Sequence, residues 1–151
     1  MDAKDKKIAT DLCYEIIKEV GRAIRPYVGK PESGEKVKMG ADGTPTSYID
    51  VIAEDQVINI LKNAPIGELK VGHGKKESVV ITQELRRTDL TPEQKPKFIF
   101  LIDPIDGTSN AIKEIPAYGI SIAVANVPDD RLATLNDVEL GFISNFGNGN
   151  F

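Results

Sequence analysis

The spacing of apolar residues predicts a long amphipathic helix at the start of the chain. From Ile8 to Ile24 an apolar residue recurs at about every fourth position, with charged residues between, which is the repeat of one helix face. Pro26 and Gly29 are expected to end this helix. Cys13 falls within the apolar stripe and is therefore interpreted as a small core residue. The predicted role of the helix is packing.

A second helix is predicted from about Tyr48 to Lys62, after a stretch from Lys30 to Pro45 that is expected to form a loop or a hairpin. Asp50 and Glu54 lie four residues apart, so both carboxylates leave the helix on one side near its N-terminus. These acids fit two interpretations equally well. They could form a functional pair, or they could follow Ser47 as a near capping box that complements the helix dipole.

Apolar runs in the second half of the chain predict strands. One run covers residues 79–82, a second covers 98–102, and a third covers 138–146 and precedes the strong turn signal Asn-Gly. Residues 86–97 are expected to form an exposed connector that contains a helix start. Two helices followed by strands predict an α+β protein with layered packing.

Residues 98–110 read FIFLIDPIDGTSN and form the most informative stretch of the sequence. The apolar run leads directly into two carboxylates, Asp103 and Asp106. Carboxylates at the end of a buried strand, with a Gly-Thr turn behind them, can hold a hard cation beside N–H groups that accept a phosphate. A simple strand end is the alternative, because Pro104 cannot donate to a ladder and Asp-Gly favours a turn. Two acids after an unbroken apolar strand favour metal-dependent phosphate chemistry.

The spacing of the acids separates this motif from two others. An EF-hand loop needs oxygen ligands at alternate positions and a Glu at its twelfth position, and the stretch from Asp103 onward does not supply them. Haloacid-dehalogenase-type phosphatases carry Asp-x-Asp, so their two acids lie two positions apart, whereas Asp103 and Asp106 lie three positions apart. That class is kept as an alternative.

Composition and charge fit an ordinary globular domain. The chain has 151 residues, of which 40% are hydrophobic and 28% charged, with a net charge of −4. Mild acidity argues against nucleic-acid binding, but not against an anionic substrate, because bound Mg²⁺ can reverse the local field. A single cysteine excludes an intramolecular disulfide framework. No N-terminal signal or long apolar span is visible, so a cytoplasmic protein without membrane association is expected.

Residues 103–110 match in full the signature D-P-[IL]-D-G-[ST]-x-N, and the chain thereby resembles the inositol monophosphatase / fructose-1,6-bisphosphatase superfamily. Within that superfamily, the sequence most resembles the archaeal dual-specificity members, which act on inositol phosphates and on fructose bisphosphate. Residues 115–124 are similar to the strand that follows the motif there. The resemblance implies a five-layer αβαβα sandwich. Residues 1–151 would form its N-terminal metal- and phosphate-binding half, with a mainly antiparallel sheet, and nothing in the chain matches the C-terminal half.

The resemblance also implies a metal site. The site would hold two or three Mg²⁺ ions, which Mn²⁺ could replace. Their ligands would be Asp103, Asp106 and the backbone carbonyl of Ile105. Family members take a further ligand from an upstream Glu-Glu pair, and the best positional match here is Gln83-Glu84. A neutral amide binds Mg²⁺ more weakly than a carboxylate does. Glu84 could compensate for this loss.

Another interpretation explains differently why the Glu-Glu pair of the family is not found in this sequence. A segment that carries the Glu-Glu pair could be absent between Pro65 and Ile66, and this interpretation is slightly favoured. If instead the sequence is complete, Gln83 and the unmatched third Asp of the family favour a different class. The protein would then be a catalytically weak metal- or phosphate-binding module that needs a partner chain.

The implied reaction is direct hydrolysis of a small sugar or inositol phosphate by a metal-activated water. By the resemblance, Asp50 and Thr108 would orient the attacking water, and Glu54 would support Asp50. Gly107, Thr108 and Ser109 would bind the substrate phosphate through the start of a short helix. A homodimer is also implied.

Overall fold

The computed structural model describes residues 1–39, 45–64, 69–70, 78–82, 98–128, 130–131 and 133–148. Its helices are α1 (Ala3–Ile24), α2 (Tyr48–Lys62) and α3 (Thr108–Ile112). Its strands are β1 (Lys36–Met39), β2 (Pro45–Ser47), β3 (Leu69–Lys70), β4 (Ser78–Thr82), β5 (Phe98–Asp106), β6 (Gly119–Asn126) and β7 (Val138–Asn145). Short 3-10 turns cover Arg25–Tyr27, Pro31–Gly34 and Leu135–Asp137.

Both long helices form where the apolar spacing predicts them. Asp2 caps α1, because its carboxylate accepts a hydrogen bond of 2.8 Å from the backbone N–H of Asp5. Pro26 lies in the 3-10 turn that follows α1, as expected for a residue that cannot continue a helix. The apolar face of α1 is buried, and its buried apolar residues are Ala9, Leu12, Cys13, Ile16, Ile17, Val20 and Ile24. In the described part of the chain, no helix is both long and apolar enough to cross a membrane.

Cys13 is fully buried in this core, and burial raises the pKa of its thiol to about 12. The reactive thiolate is therefore roughly a thousandfold scarcer at neutral pH than for a thiol of ordinary pKa. We expect a disulfide-exchange reagent to label Cys13 rapidly in urea and very slowly in native buffer. Equal labelling rates in the two conditions would show that the thiol is exposed.

The main sheet has the strand order β3-β4-β5-β6-β7. β5 pairs antiparallel with β6, and β6 with β7, whereas the shorter pairings of β3 with β4 and β4 with β5 are parallel. This confirms the predicted α+β class, in which the longer pairings are antiparallel. Separately, β1 and β2 form an antiparallel hairpin, so the segment between the two long helices is a hairpin where the structure describes it.

β5 is longer than its apolar run predicts. The strand continues through the motif to Asp106, with an irregularity in register between Asp103, which pairs with Ser121, and Asp106, which pairs with Gly119. Pro104 lies inside this irregularity, where the missing N–H of proline breaks no regular ladder. The bulge therefore lets a buried strand carry both carboxylates to its very end.

One face of the sheet packs on the two long helices. Phe100 on β5 and Val124 on β6 are fully buried there, in the same apolar cluster as residues of α1 and α2. Strand residues of the opposite face are less covered, and Ile143 on β7 is 89% exposed. The described residues thus form a helix layer on one side of a sheet.

Candidate active site

The hairpin leads directly into α2 and thereby places Asp50. β2 ends at Ser47, which is the N-cap of α2, and the backbone N–H of Tyr48 donates a hydrogen bond of 2.9 Å to the carbonyl of Glu35 at the start of the hairpin. Thr46 and Ser47 are almost completely buried. The first turn of α2 is consequently fixed to the hairpin, and Asp50 lies in that turn.

Asp50 contacts Thr108, a residue 58 positions further along the chain, by a hydrogen bond of 2.7 Å from the hydroxyl to the carboxylate. The same hydroxyl lies 3.1 Å from the backbone carbonyl of Ile105. A hydroxyl carries one proton and donates to one acceptor at a time. The shorter distance and the charge of a carboxylate favour Asp50 as the acceptor.

Opposing effects act on the pKa of the Asp50 carboxyl. Burial raises the pKa and outweighs the other effects, since it disfavours the charged form. Hydrogen bonds from Thr108 and Ser47 and the positive charge of Lys36 each lower the pKa. Asp50 is thus a half-buried carboxylate whose charged form depends on the donors around it.

The motif turn is held by close backbone packing. Gly107 has a φ of +89°, and a Cβ at this position would lie 2.7 Å from the carbonyl oxygen of Ala117. The Nδ2 of Asn110 donates a hydrogen bond of 2.7 Å to that same oxygen. A glycine is required here for both backbone conformation and space. The signature Gly and Asn therefore fix the turn that presents Thr108.

The remaining predicted motif residues lie around this contact. Asp106 is exposed at the end of β5, Asp103 is half-buried on β5, and Ser109 is exposed in the first turn of α3. Asp106 and Gly107 line a crevice of about 300 Å³ between the motif turn and the adjoining ends of β6 and β7. The structure thus brings Asp50, Thr108 and the Ile105 carbonyl together, with Asp106 and Gly107 in the same turn.

The donor atoms suit a hard cation. Carboxylates at Asp103 and Asp106 and a backbone carbonyl at Ile105 are the oxygen ligands that Mg²⁺ takes in proteins. Over the residues that the structure describes, no three or more His, Cys, Asp or Glu side chains form a group able to hold a metal ion. Gln83, Glu84 and the junction between Pro65 and Ile66 lie outside those residues, so the expectations about them stay predictions.

The structure adds two lysines that sequence reasoning missed. Lys36 Nζ donates a hydrogen bond of 2.7 Å to the hydroxyl of Ser47, and Lys38 Nζ forms an ion pair of 2.9 Å with Glu54. The Glu54 side chain is only 2% exposed, and it lies one turn after Asp50 on α2. The available signal in the sequence was a Lys-x-Lys pair shortly before an acidic helix, and such charges are usually solvated.

A helix layer on a mixed sheet, with this motif at the end of a central strand, is the fold of the inositol monophosphatase / fructose-1,6-bisphosphatase class. The chain belongs to the inositol monophosphatase family, whose model matches residues 5–136. This confirms the family resemblance drawn from the signature.

Relatives and solved structures agree with this assignment. The chain is 40% identical to a fructose-1,6-bisphosphatase/inositol-1-monophosphatase of Methanothermobacter thermautotrophicus, over 99% of the chain and 50% of the relative. It is 35% identical to a bifunctional NADP phosphatase/NAD kinase of Methanocaldococcus jannaschii, over 91% of the chain and 25% of that protein. A structure from Pyrococcus horikoshii, described as similar to inositol-1 monophosphatase, matches with a TM-score of 0.64 and 23% identity over 92% of the chain and 44% of its own. The chain thus spans about half the length of the first of these relatives.

Proposed function

We propose that the chain is the N-terminal, metal- and phosphate-binding half of a Mg²⁺-dependent phosphatase that hydrolyses phosphate monoesters of inositol, of fructose 1,6-bisphosphate or of both. The observation that carries the proposal is the hydrogen bond of 2.7 Å between Thr108 and Asp50, beside a complete family signature. The family membership supports the same conclusion. The haloacid-dehalogenase alternative has no support beyond its partial likeness to the motif.

Each residue of the site has a chemical task in this proposal. Because Thr108 donates its proton to Asp50, its oxygen lone pairs are available to accept a hydrogen bond from a water and to orient it for attack. Asp103, Asp106 and the carbonyl of Ile105 would hold Mg²⁺. Bound Mg²⁺ supplies Lewis-acid polarisation of the phosphate and acidifies water.

The substrate phosphate would lie against the turn at Gly107, Thr108 and Ser109, where backbone N–H groups begin a short helix. The names of two relatives, a fructose-1,6-bisphosphatase/inositol-1-monophosphatase and a bifunctional NADP phosphatase/NAD kinase, both include a phosphatase that acts on a small molecule. We therefore propose a small phosphorylated molecule as the substrate. A homodimer and a cytoplasmic location complete the proposal, and light scattering tests the first of these.

Phosphate release from inositol 1-phosphate and from fructose 1,6-bisphosphate, with and without Mg²⁺, tests the function directly. Thr108→Val is expected to lower kcat by about a hundredfold or more, because it removes the group that orients water. Thr108→Ser keeps the hydroxyl and serves as the matched control, so it should retain most of the activity. Equal rates in the Val and Ser variants would overturn the role of Thr108, and no release from either substrate would count against the phosphatase.

A binding module without turnover is the second candidate. It is favoured by Gln83, a neutral amide at the position that best matches a ligand carboxylate of the family. Calorimetric titration with Mg²⁺ and inorganic phosphate separates the two. Binding of both without phosphate release supports the module, whereas Mg²⁺-dependent release supports the enzyme.

A further inference from the structure

Lys36 reaches from the hairpin to the first turn of α2. Its ammonium donates a hydrogen bond of 2.7 Å to the hydroxyl of Ser47. Ser47 is only 1% exposed and is the N-cap of α2, yet its hydroxyl makes no capping hydrogen bond to the helix. The buried hydroxyl is therefore used for something other than the usual task of an N-cap serine.

The chemistry of the two groups sets the direction of this contact. A lysine ammonium has donors only, so the Ser47 oxygen is the acceptor. The proton of Ser47 then has to point elsewhere, and Asp50 receives a side-chain hydrogen bond from Ser47. A chain of donors thus runs from Lys36 to Ser47 and on to Asp50, which also accepts the hydrogen bond of 2.7 Å from Thr108.

We propose that Lys36 is a positioning residue for Asp50 and acts through the hydroxyl of Ser47. The proposal rests on the proposed role of Asp50 in orienting Thr108. Donors on two sides, from the hairpin and from α3, hold the carboxylate in one orientation. Donors of this kind favour the charged form of a half-buried carboxylate, and a charged Asp50 is the stronger acceptor for the proton of Thr108.

The other charged groups near Asp50 have different partners. Glu54, on the same helix, is paired with Lys38 of the hairpin at 2.9 Å. Lys36 is the cation that lowers the pKa of Asp50, against the effect of burial.

Lys38 provides a matched control because it lies on the same hairpin and reaches the same helix. We would label the Asp carboxyl carbons with ¹³C and titrate Asp50 by NMR in the full chain, without metal or substrate. Lys36→Met is expected to move the pKa of Asp50 upward, whereas Lys38→Met should leave it in place. Lys36→Arg keeps a cationic donor and should restore the value. Urea unfolding of each variant shows whether it is folded under the conditions of the titration.

A double-mutant cycle tests the path through Ser47. Ser47→Ala should also raise the pKa of Asp50, and the combined variant with Lys36→Met should raise it by less than the sum of the two single effects, because both changes break one path. Strict additivity would overturn the path, and an unchanged pKa in Lys36→Met would overturn the proposal as a whole.

Kinetic measurements on Lys36→Met distinguish a failure of the positioning role of Lys36 from a failure of the proposed phosphatase function. If the chain releases phosphate, Lys36→Met should lower kcat with little change in KM. It should also shift the acid limb of the pH profile to higher pH, since Asp50 with a raised pKa loses its charge sooner as the pH falls. A change in KM alone would mean a substrate contact and would contradict the positioning role. If no phosphate is released, the phosphatase proposal fails, while the NMR titration still decides the role of Lys36.

Discussion

Replacing Asp106 by asparagine is expected to abolish Mg²⁺-dependent phosphate release, with a loss of about a thousandfold or more in kcat/KM. Asp106 is exposed at the end of β5, directly before the turn at Gly107, which has a left-handed backbone conformation. The amide keeps the size of the side chain but contributes no charge to a Mg²⁺ site. Because the Thr108 hydroxyl points to Asp50 and not to Asp106, the asparagine should leave the contact of 2.7 Å intact.

The control for this substitution is Asp55→Asn. Asp55 is exposed on α2 and carries no role in the proposed site. Phosphate release by the Asp55 variant should equal that of the parent chain at every Mg²⁺ concentration. Activity of the Asp106 variant within tenfold of the parent would contradict a metal-ligand role. Partial recovery in high Mg²⁺ would identify the loss as one of metal affinity.

The two long helices and the motif turn were predictable from short stretches of sequence, because residues close together in the chain determine them. The bounds of α2 agree with the prediction from its apolar spacing and acidic first turn, and α1 ends just before Pro26 as expected. The family signature identified the motif turn, because Gly107 and Asn110 are needed for a backbone arrangement that few other residues allow. These features depend on residues close together in sequence.

Features that depend on distant residues were not predictable in the same way. The extension of β5 through Pro104 requires a register irregularity opposite β6, and strand periodicity alone gives no sign of it. The contacts of Lys36 with Ser47 and of Lys38 with Glu54 depend on how the hairpin folds onto α2. Lysines in a polar stretch are expected to be solvated, so only the folded chain reveals their partners.

Gly107→Ala is expected to destabilise the chain by about 3 kcal/mol, through left-handed backbone strain of about 1–2 kcal/mol together with overpacking of about 1–3 kcal/mol. The new Cβ would meet the Ala117 oxygen at 2.7 Å, and that oxygen is part of the backbone and held by Asn110. The turn therefore has to shift, and Thr108, the next residue, has to shift with it. We expect loss of the Thr108–Asp50 hydrogen bond as well as of stability.

Urea unfolding measures the first effect, and Gly141→Ala is the matched control. At Gly141 an added Cβ meets no atom within 4 Å, so this alanine should be neutral or should stabilise the strand by about 0.5 kcal/mol. The same chemical change thus acts in opposite directions at the motif turn and on β7. Similar unfolding midpoints for the two variants would mean that the turn tolerates a side chain. Its geometry would then not be what fixes Thr108 against Asp50.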